Sequence, residues 1–282
     1  MLSSELHSSS TTTTSMTTIR LVQPDDDGDL DVPRRSSDST AAKNTDVASW
    51  TLSHRSTTAL DQVGLQLWRG ALLLADHVLD GQLDPLLSND AGKGLTFMEL
   101  GAGVGLVSLV LQHRYPTSSV YATDVGVDVL DNMLANVTST SSAAAGPAIH
   151  VRWFDWGDPF IVPAHVPLRH HWTEGDKRAV QDEVDVFLAA DVVYDDEATV
   201  QLVRAIDRLL VTKRKRLVMA LEKRYVFTVA ALATVAPALD RFETELRRYG
   251  GLVMERVEPL PRQWLLQYER TNELYLYMIS RK

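Results

Sequence analysis

Thr96-Phe97-Met98-Glu99-Leu100-Gly101-Ala102-Gly103-Val104-Gly105-Leu106 joins an apolar run to a glycine-rich turn and then to a second apolar run. Residues 95–100 read as a short buried strand, the three alternating glycines as a tight turn, and residues 106–111 as the start of a helix. Glycine in such a turn lets the main chain approach a bound molecule closely. The first free N–H groups of the helix add partial positive charge. The arrangement suits the middle of a nucleotide-like cofactor. G-x-G-x-G nevertheless differs by one residue from the dinucleotide fingerprint G-x-G-x-x-G, and glycines here can be purely architectural.

The spacing that follows narrows the choice. Nineteen residues beyond Gly105 (124 − 105), Val120-Tyr121-Ala122-Thr123-Asp124 reads as a second strand ending in a carboxylate. An ionised Asp124 in that position accepts hydrogen bonds from two ribose hydroxyls, a role compatible with capping the next helix. Glu99 is the unusual residue, because it places an acid at the tip of a buried strand directly before the glycines. A pyrophosphate would be repelled there, whereas a cationic or zwitterionic cofactor would not. S-adenosylmethionine carries a sulfonium and an ammonium and no phosphate, so E-L-G-x-G-x-G favours it over NAD. A salt-bridged strand end is the structural alternative for Glu99.

The 282 residues, 45% of them hydrophobic, suffice for one sizeable core with an unstructured segment besides. No apolar run has the length of a membrane span, and the first ten residues lack the apolar centre of a secretory signal. There is no cysteine, which excludes disulfides, thiolate zinc and cysteine nucleophiles. The expectation is an intracellular protein of the nucleus or the cytoplasm, without a membrane partner. A net charge of −9 argues against direct nucleic-acid binding and fits a basic protein partner. Residues 1–46, Ser/Thr-rich and then acidic, read as a disordered tail. Residues 47–282 read as the single folded domain.

Along that domain the pattern predicts a strand at residues 50–54 and a helix over 63–79 containing Trp68. Trp68 is either ordinary core or a wall of the cofactor site, where an indole beside a sulfonium gains a cation–π contribution. A helix over 125–137 and a strand over 149–154 follow, the strand ending in Asp155-Trp156. There a polar side chain suits an adenine amino group and an indole suits the ring. Residues 157–182, with three prolines and His165, His170 and His171, read as a flexible insertion at one sheet edge; no metal site is expected in it. Val184-Asp185-Val186-Phe187-Leu188-Ala189-Ala190 is another buried strand, and Asp191 and Tyr194 beyond it should face the same crevice as the glycines. A helix over 197–210, a strand over 216–221, a helix over 225–249 broken near Pro237, and strands over 252–257 and 274–279 complete the chain. Lys213-Arg214-Lys215-Arg216 reads as the solvated end of a helix, with nuclear import as the alternative. The order predicts an α/β doubly wound sheet, mostly parallel, with an antiparallel strand near the C-terminus.

The layout E-L-G-A-G-V-G, Asp124, Asp155-Trp156 and Ala190-Asp191-Val192-Val193-Tyr194 resembles the seven-strand, Rossmann-like S-adenosylmethionine-dependent methyltransferases. Within them it is similar to the protein lysine methyltransferases that carry D/E-x-x-Y/F after the fourth strand and a tryptophan in a helix before the first. The resemblance runs from about residue 47 to the end; a short tail and the His/Pro-rich segment depart from it. It implies that Gly101, Ala102 and Gly103 approach the methionine part, Asp124 binds the ribose, Trp156 lies at the adenine, and Trp68 and Ala190 touch the cofactor. Asp191 and Tyr194 would line the lysine entrance as the catalytic pair, Asp191 orienting the amine and Tyr194 bounding its channel, with the proton leaving to water. The implied substrate is a protein with an accessible lysine; the chain itself is expected to be a monomer and to dock that substrate at the sheet edge and the His/Pro-rich segment. A methyltransferase for nucleic acid or a small molecule is disfavoured by the acidic balance and the absence of N-P-P-Y. A non-catalytic cofactor-binding adaptor is disfavoured by the intact glycines and D-x-x-Y.

Overall fold

The computed structural model describes residues 14–21, 48–56, 58, 60–87, 94–140, 149–224, 226–228, 233–258, 260 and 265–282. Strand β1 (Thr14–Arg20) pairs antiparallel with β2 (Ser49–Arg55). Next come α1 (Arg69–Leu79), β3 (Thr96–Leu100), α2 (Leu106–Arg114), β4 (Ser119–Asp124), α3 (Val127–Thr140) and β5 (Ile149–Trp153). They are followed by α4 (Glu174–Asp182), β6 (Val186–Ala190), α5 (Asp196–Leu209) and β7 (Arg216–Glu222). The hairpin strands β8 (Val226–Thr228) and β9 (Ala233–Val235), then α6 (Pro237–Arg248), β10 (Leu252–Arg256) and β11 (Leu274–Arg281), complete the order.

Seven strands form one sheet in the order β10-β11-β7-β6-β3-β4-β5. Strands β7, β6, β3, β4 and β5 run parallel to one another, and β11 runs antiparallel to both β7 and β10. This is the mostly parallel, doubly wound α/β sheet expected. Period-two alternation splits β3 between two cores. Phe97 packs with α1 and α2 on one face, while Met98 and Leu100 pack with α5 and α6 on the other. Buried on both faces, β3 carries apolar side chains on both, Phe97 on one and Met98 and Leu100 on the other, which is why its sequence reads as a run rather than an alternation. Strand β3 is also where the winding reverses, β4 lying on one side and β6 on the other. The crevice of such a sheet opens beyond the carboxyl ends of these strands.

Several expectations need correction. Residues 14–20 belong to no unstructured tail: Thr-rich β1 alternates exposed and partly covered positions, and its Ile19 joins the core beside Trp50 and Leu52. β-branched threonine suits a pleated edge strand, although its polarity suggested disorder. The rest of the expected tail, residues 1–13 and 22–46, lies outside the described residues. The helix expected over 63–79 is two pieces, a 3-10 turn (Leu60–Leu65) and α1, with Trp68 at the N-cap of α1. Residues 157–182 form the packed crossover between β5 and β6. Trp172 is buried and donates Nε1–H to the Trp153 carbonyl at 2.6 Å, and His170 pairs with Asp131 at 2.8 Å. Residues 226–235 contain the β8–β9 pair where a helix was expected, because an apolar run of that length fits either period. In the basic run Lys213 and Arg214 are exposed as expected, but Lys215 is buried and donates to the Val184 carbonyl at 2.5 Å, so the run is solvated only in part. Among the described residues, no helix is long and apolar enough to cross a membrane.

Candidate active site

Beyond Leu100 the main chain turns through Gly101 (φ 67°) and Gly103 (φ 54°), both in the left-handed region that favours glycine. Both positions are also sterically closed. A Cβ on Gly101 would come within 2.7 Å of Val192 Cγ1, and one on Gly103 within 3.0 Å of the Gly64 carbonyl oxygen. The turn is therefore pressed between the loop after β6 and the segment before α1. It borders a cavity of about 590 Å³ at the carboxyl ends of β3, β4, β5 and β6.

Strands β4, β5 and β6 each bring a polar side chain to this cavity. From β4, Asp124 accepts the Gly103 N–H at Oδ2 (2.8 Å) and the Val125 N–H at Oδ1 (2.7 Å). Each oxygen thus keeps a further lone pair, on a side chain that lines the cavity. Burial pushes the Asp124 carboxyl up to about 6, against the two N–H donors, which lower it. After β5, Asp155 accepts the Gly157 N–H at 2.8 Å, and Trp156 stands beside Gly101.

From β6, Ala190 lines the cavity, and Asp191 follows in the left-handed region at φ 52°. Its Oδ2 accepts the Gly70 N–H of α1 at 2.6 Å, and its Oδ1 accepts the Glu222 N–H of β7 at 2.7 Å. Burial raises the Asp191 carboxyl above its ordinary range, opposed by these two donors and by the charge of Arg224. Tyr194 is 38% exposed at the cavity mouth, and Asp195 beside it caps α5 through the Ala198 N–H at 2.8 Å.

Of the residues singled out from sequence, Trp68, Gly101, Gly103, Asp124, Asp155, Trp156, Ala190, Asp191 and Tyr194 all border this one cavity. Glu99 and Ala102 do not. Ala102 is buried, its N–H donating to the Thr123 carbonyl at 2.8 Å. Glu99 points away from the cavity into the layer under α2, where Ser108 Oγ donates to its Oε2 at 2.5 Å. Burial raises its carboxyl to about 8, against the hydrogen bonds from Ser108. It is neither a salt-bridged strand end nor a cavity wall. Sequence reasoning passed over Val63, Gly64 and Gln201, which also line the cavity. Arg224, whose place just past the end of a strand puts it on the crevice side, lines it too, although sequence reasoning assigned it no role.

A cavity at the switch point of a seven-strand sheet with one reversed strand, bordered by a glycine turn and strand-end carboxylates, defines a doubly wound α/β protein with its site where such sheets bind ligands. A family model described as lysine methyltransferase matches residues 49–230, and the chain belongs to that family. It is 35% identical over 239 residues to methyltransferase-like protein 22 of Mus musculus, covering 81% of this chain and 58% of that protein. It is 33% identical over 295 residues to methyltransferase-like protein 22 of Homo sapiens, covering 91% of this chain and 70% of that protein. To the protein-lysine N-methyltransferase EEF2KMT of Homo sapiens it is 27% identical over 225 residues, covering 77% of this chain and 59% of that protein. The chain therefore spans little more than half the length of two of these three relatives.

Proposed function

We propose that this chain is an S-adenosylmethionine-dependent protein-lysine N-methyltransferase. The observation that carries the reading is the convergence of Gly101, Gly103, Asp124 and the Asp191/Tyr194 pair on one cavity, in a chain of the lysine methyltransferase family. The residues present fit the cofactor. Among the described residues, three carboxylates (Asp124, Asp155, Asp191) and one guanidinium (Arg224) line the cavity, a balance suited to a cationic ligand. The volume suits a nucleoside with a short side chain. Asp124 keeps lone pairs for ribose hydroxyls, Trp156 supplies a flat wall for a base, and the glycine turn offers close approach to the amino-acid part. When bound, S-adenosylmethionine supplies an electrophilic methyl group on its sulfonium.

The chain's own residues then have two tasks. One is to hold an amine in line, since alignment accounts for most of the acceleration of such a displacement. The other is to receive that amine uncharged, because free lysine has a pKa of about 10.4. Tyr194 bounds the entrance and strips water from the amine, which lowers its pKa. The free lone pairs of Asp191 accept from the amine and fix its direction, and the proton leaves to water through the open mouth. The acidic balance of the chain suits a basic protein surface around the target lysine. The reading carries with it a monomeric enzyme of the nucleus or cytoplasm, with residues 47–282 as its catalytic domain and β1 packed onto it. Equilibrium titration with S-adenosylmethionine and, separately, NAD tests the cofactor: binding of the first alone is expected, and binding of NAD in its place refutes the reading.

A further inference from the structure

The main chain of α1 begins where no side chain of its own supports it. Its N-cap is Trp68, which makes no side-chain capping bond, so the first N–H groups of the helix need acceptors from elsewhere. One of them, the Gly70 N–H, is taken by Asp191 Oδ2 at 2.6 Å across 121 residues of sequence. The contact leaves no room for a side chain, since a Cβ on Gly70 would lie 2.5 Å from Asp191 Oδ2 and 2.7 Å from Cγ. Both atoms are covalently tied to a residue whose other oxygen is held by β7 at 2.7 Å, so the carboxylate is not free to swing aside.

From this seat a chain of contacts leads to the glycine turn. Trp68, two residues before Gly70, donates its indole N–H to the Val63 carbonyl at 3.0 Å. The next carbonyl, that of Gly64, sits 3.0 Å from where a Cβ on Gly103 would be, against the turn itself. Val63, Gly64 and Trp68 all line the cavity.

We infer that Gly70 is a positioning residue: seated on the Asp191 carboxylate, it fixes residues 63–70 as the wall that closes the cofactor cavity, so Asp191 sets cofactor affinity as well as serving the substrate. This rests on the cofactor reading above and deepens it.

The test is a double-mutant cycle on the full chain, with S-adenosylmethionine as titrant and amide hydrogen exchange over residues 63–70 as a second readout. Gly70→Ala and Asp191→Ala should each raise the Kd at least tenfold and speed exchange across that segment. The double variant should bind within threefold of Asp191→Ala alone, because the added methyl then meets no carboxylate. Asp191→Asn, which keeps the shape and one acceptor, should fall between wild type and Asp191→Ala and serves if Gly70→Ala folds poorly. Single variants within twofold of wild type, or a double variant whose loss is the product of the two, overturn the inference. A wild-type chain that binds no S-adenosylmethionine overturns the cofactor reading instead, and unchanged exchange in Gly70→Ala would still overturn the brace.

Discussion

The Arg224 guanidinium lies 4.6 Å from the centroid of the Trp68 ring, so the indole at the cavity wall already carries a cation of the protein's own. That guanidinium also acts on Asp191, whose carboxyl it holds lower than burial alone would. A fixed positive charge at the cavity disfavours a sulfonium relative to the neutral thioether left after transfer. Arg224→Gln is therefore expected to improve binding of S-adenosylmethionine relative to S-adenosylhomocysteine, by about threefold for an exposed charge. Calorimetric titration of both ligands measures the ratio; a ratio that moves the other way refutes this placement of the charge.

Asp124 predicts a pH dependence of cofactor binding. Its carboxyl is pushed up to about 6 by burial, and its ionised form is the one that accepts two ribose hydroxyls. Affinity should weaken as the pH falls through about 6 and level off above 7. Asp124→Asn should bind more weakly throughout and lose that pH dependence, as read by titration between pH 5 and 8.

Glu99 affects stability in a different window. Its folded carboxyl titrates near 8 against an ordinary 4.5, so the folded chain retains a proton that the unfolded chain releases. The stability linked to that proton is complete below about 4.5 and is lost as the pH rises through about 8. Glu99→Gln should remove this component of the slope and melt higher than wild type above pH 8. Melting curves of both proteins across pH 5 to 9 decide it: parallel profiles would mean that Glu99 is ionised in the fold.

Asp176 reports on the crossover between β5 and β6. It closes a capping box with Thr173 at the start of α4 and pairs with Arg152 at 2.9 Å, both side chains largely buried. Asp176→Ala removes the cap and leaves Arg152 buried without its partner, an expected loss of about 3 kcal/mol. Urea denaturation measures this. A loss below about 0.5 kcal/mol, the range of ordinary surface changes, would contradict a packed crossover.

How much of this was legible follows from what each residue answers to. The strand-turn-helix at residues 96–111, and the polar residues Asp124, Asp155 and Asp191 just past apolar runs, were readable because a strand buried on both faces is continuous and its carboxyl end is where polarity returns. Strand β1 was not readable, since its stability comes from pairing with β2, 29 residues on from Arg20 to Ser49 (49 − 20), and from one buried side chain, Ile19. The break before α1 was hidden because Gly64 and Gly70 interrupt an apolar period without abolishing it. Their need for glycine comes from Val129 and Asp191, distant in sequence. Glu99 was misplaced because period-two alternation assigns its face but not the Ser108 partner that neutralises the need for a counter-charge.

The central claim is methyl transfer to protein lysine. Incubating the full chain with methyl-labelled S-adenosylmethionine and a protein extract, beside Asp124→Ala, and then identifying the labelled residue by mass spectrometry, tests it most directly. The account predicts one or a few labelled proteins, absent with the variant, with the label on a lysine side-chain nitrogen. Label removed by nuclease, label in small molecules alone, or no label from a chain that demonstrably binds S-adenosylmethionine would contradict it.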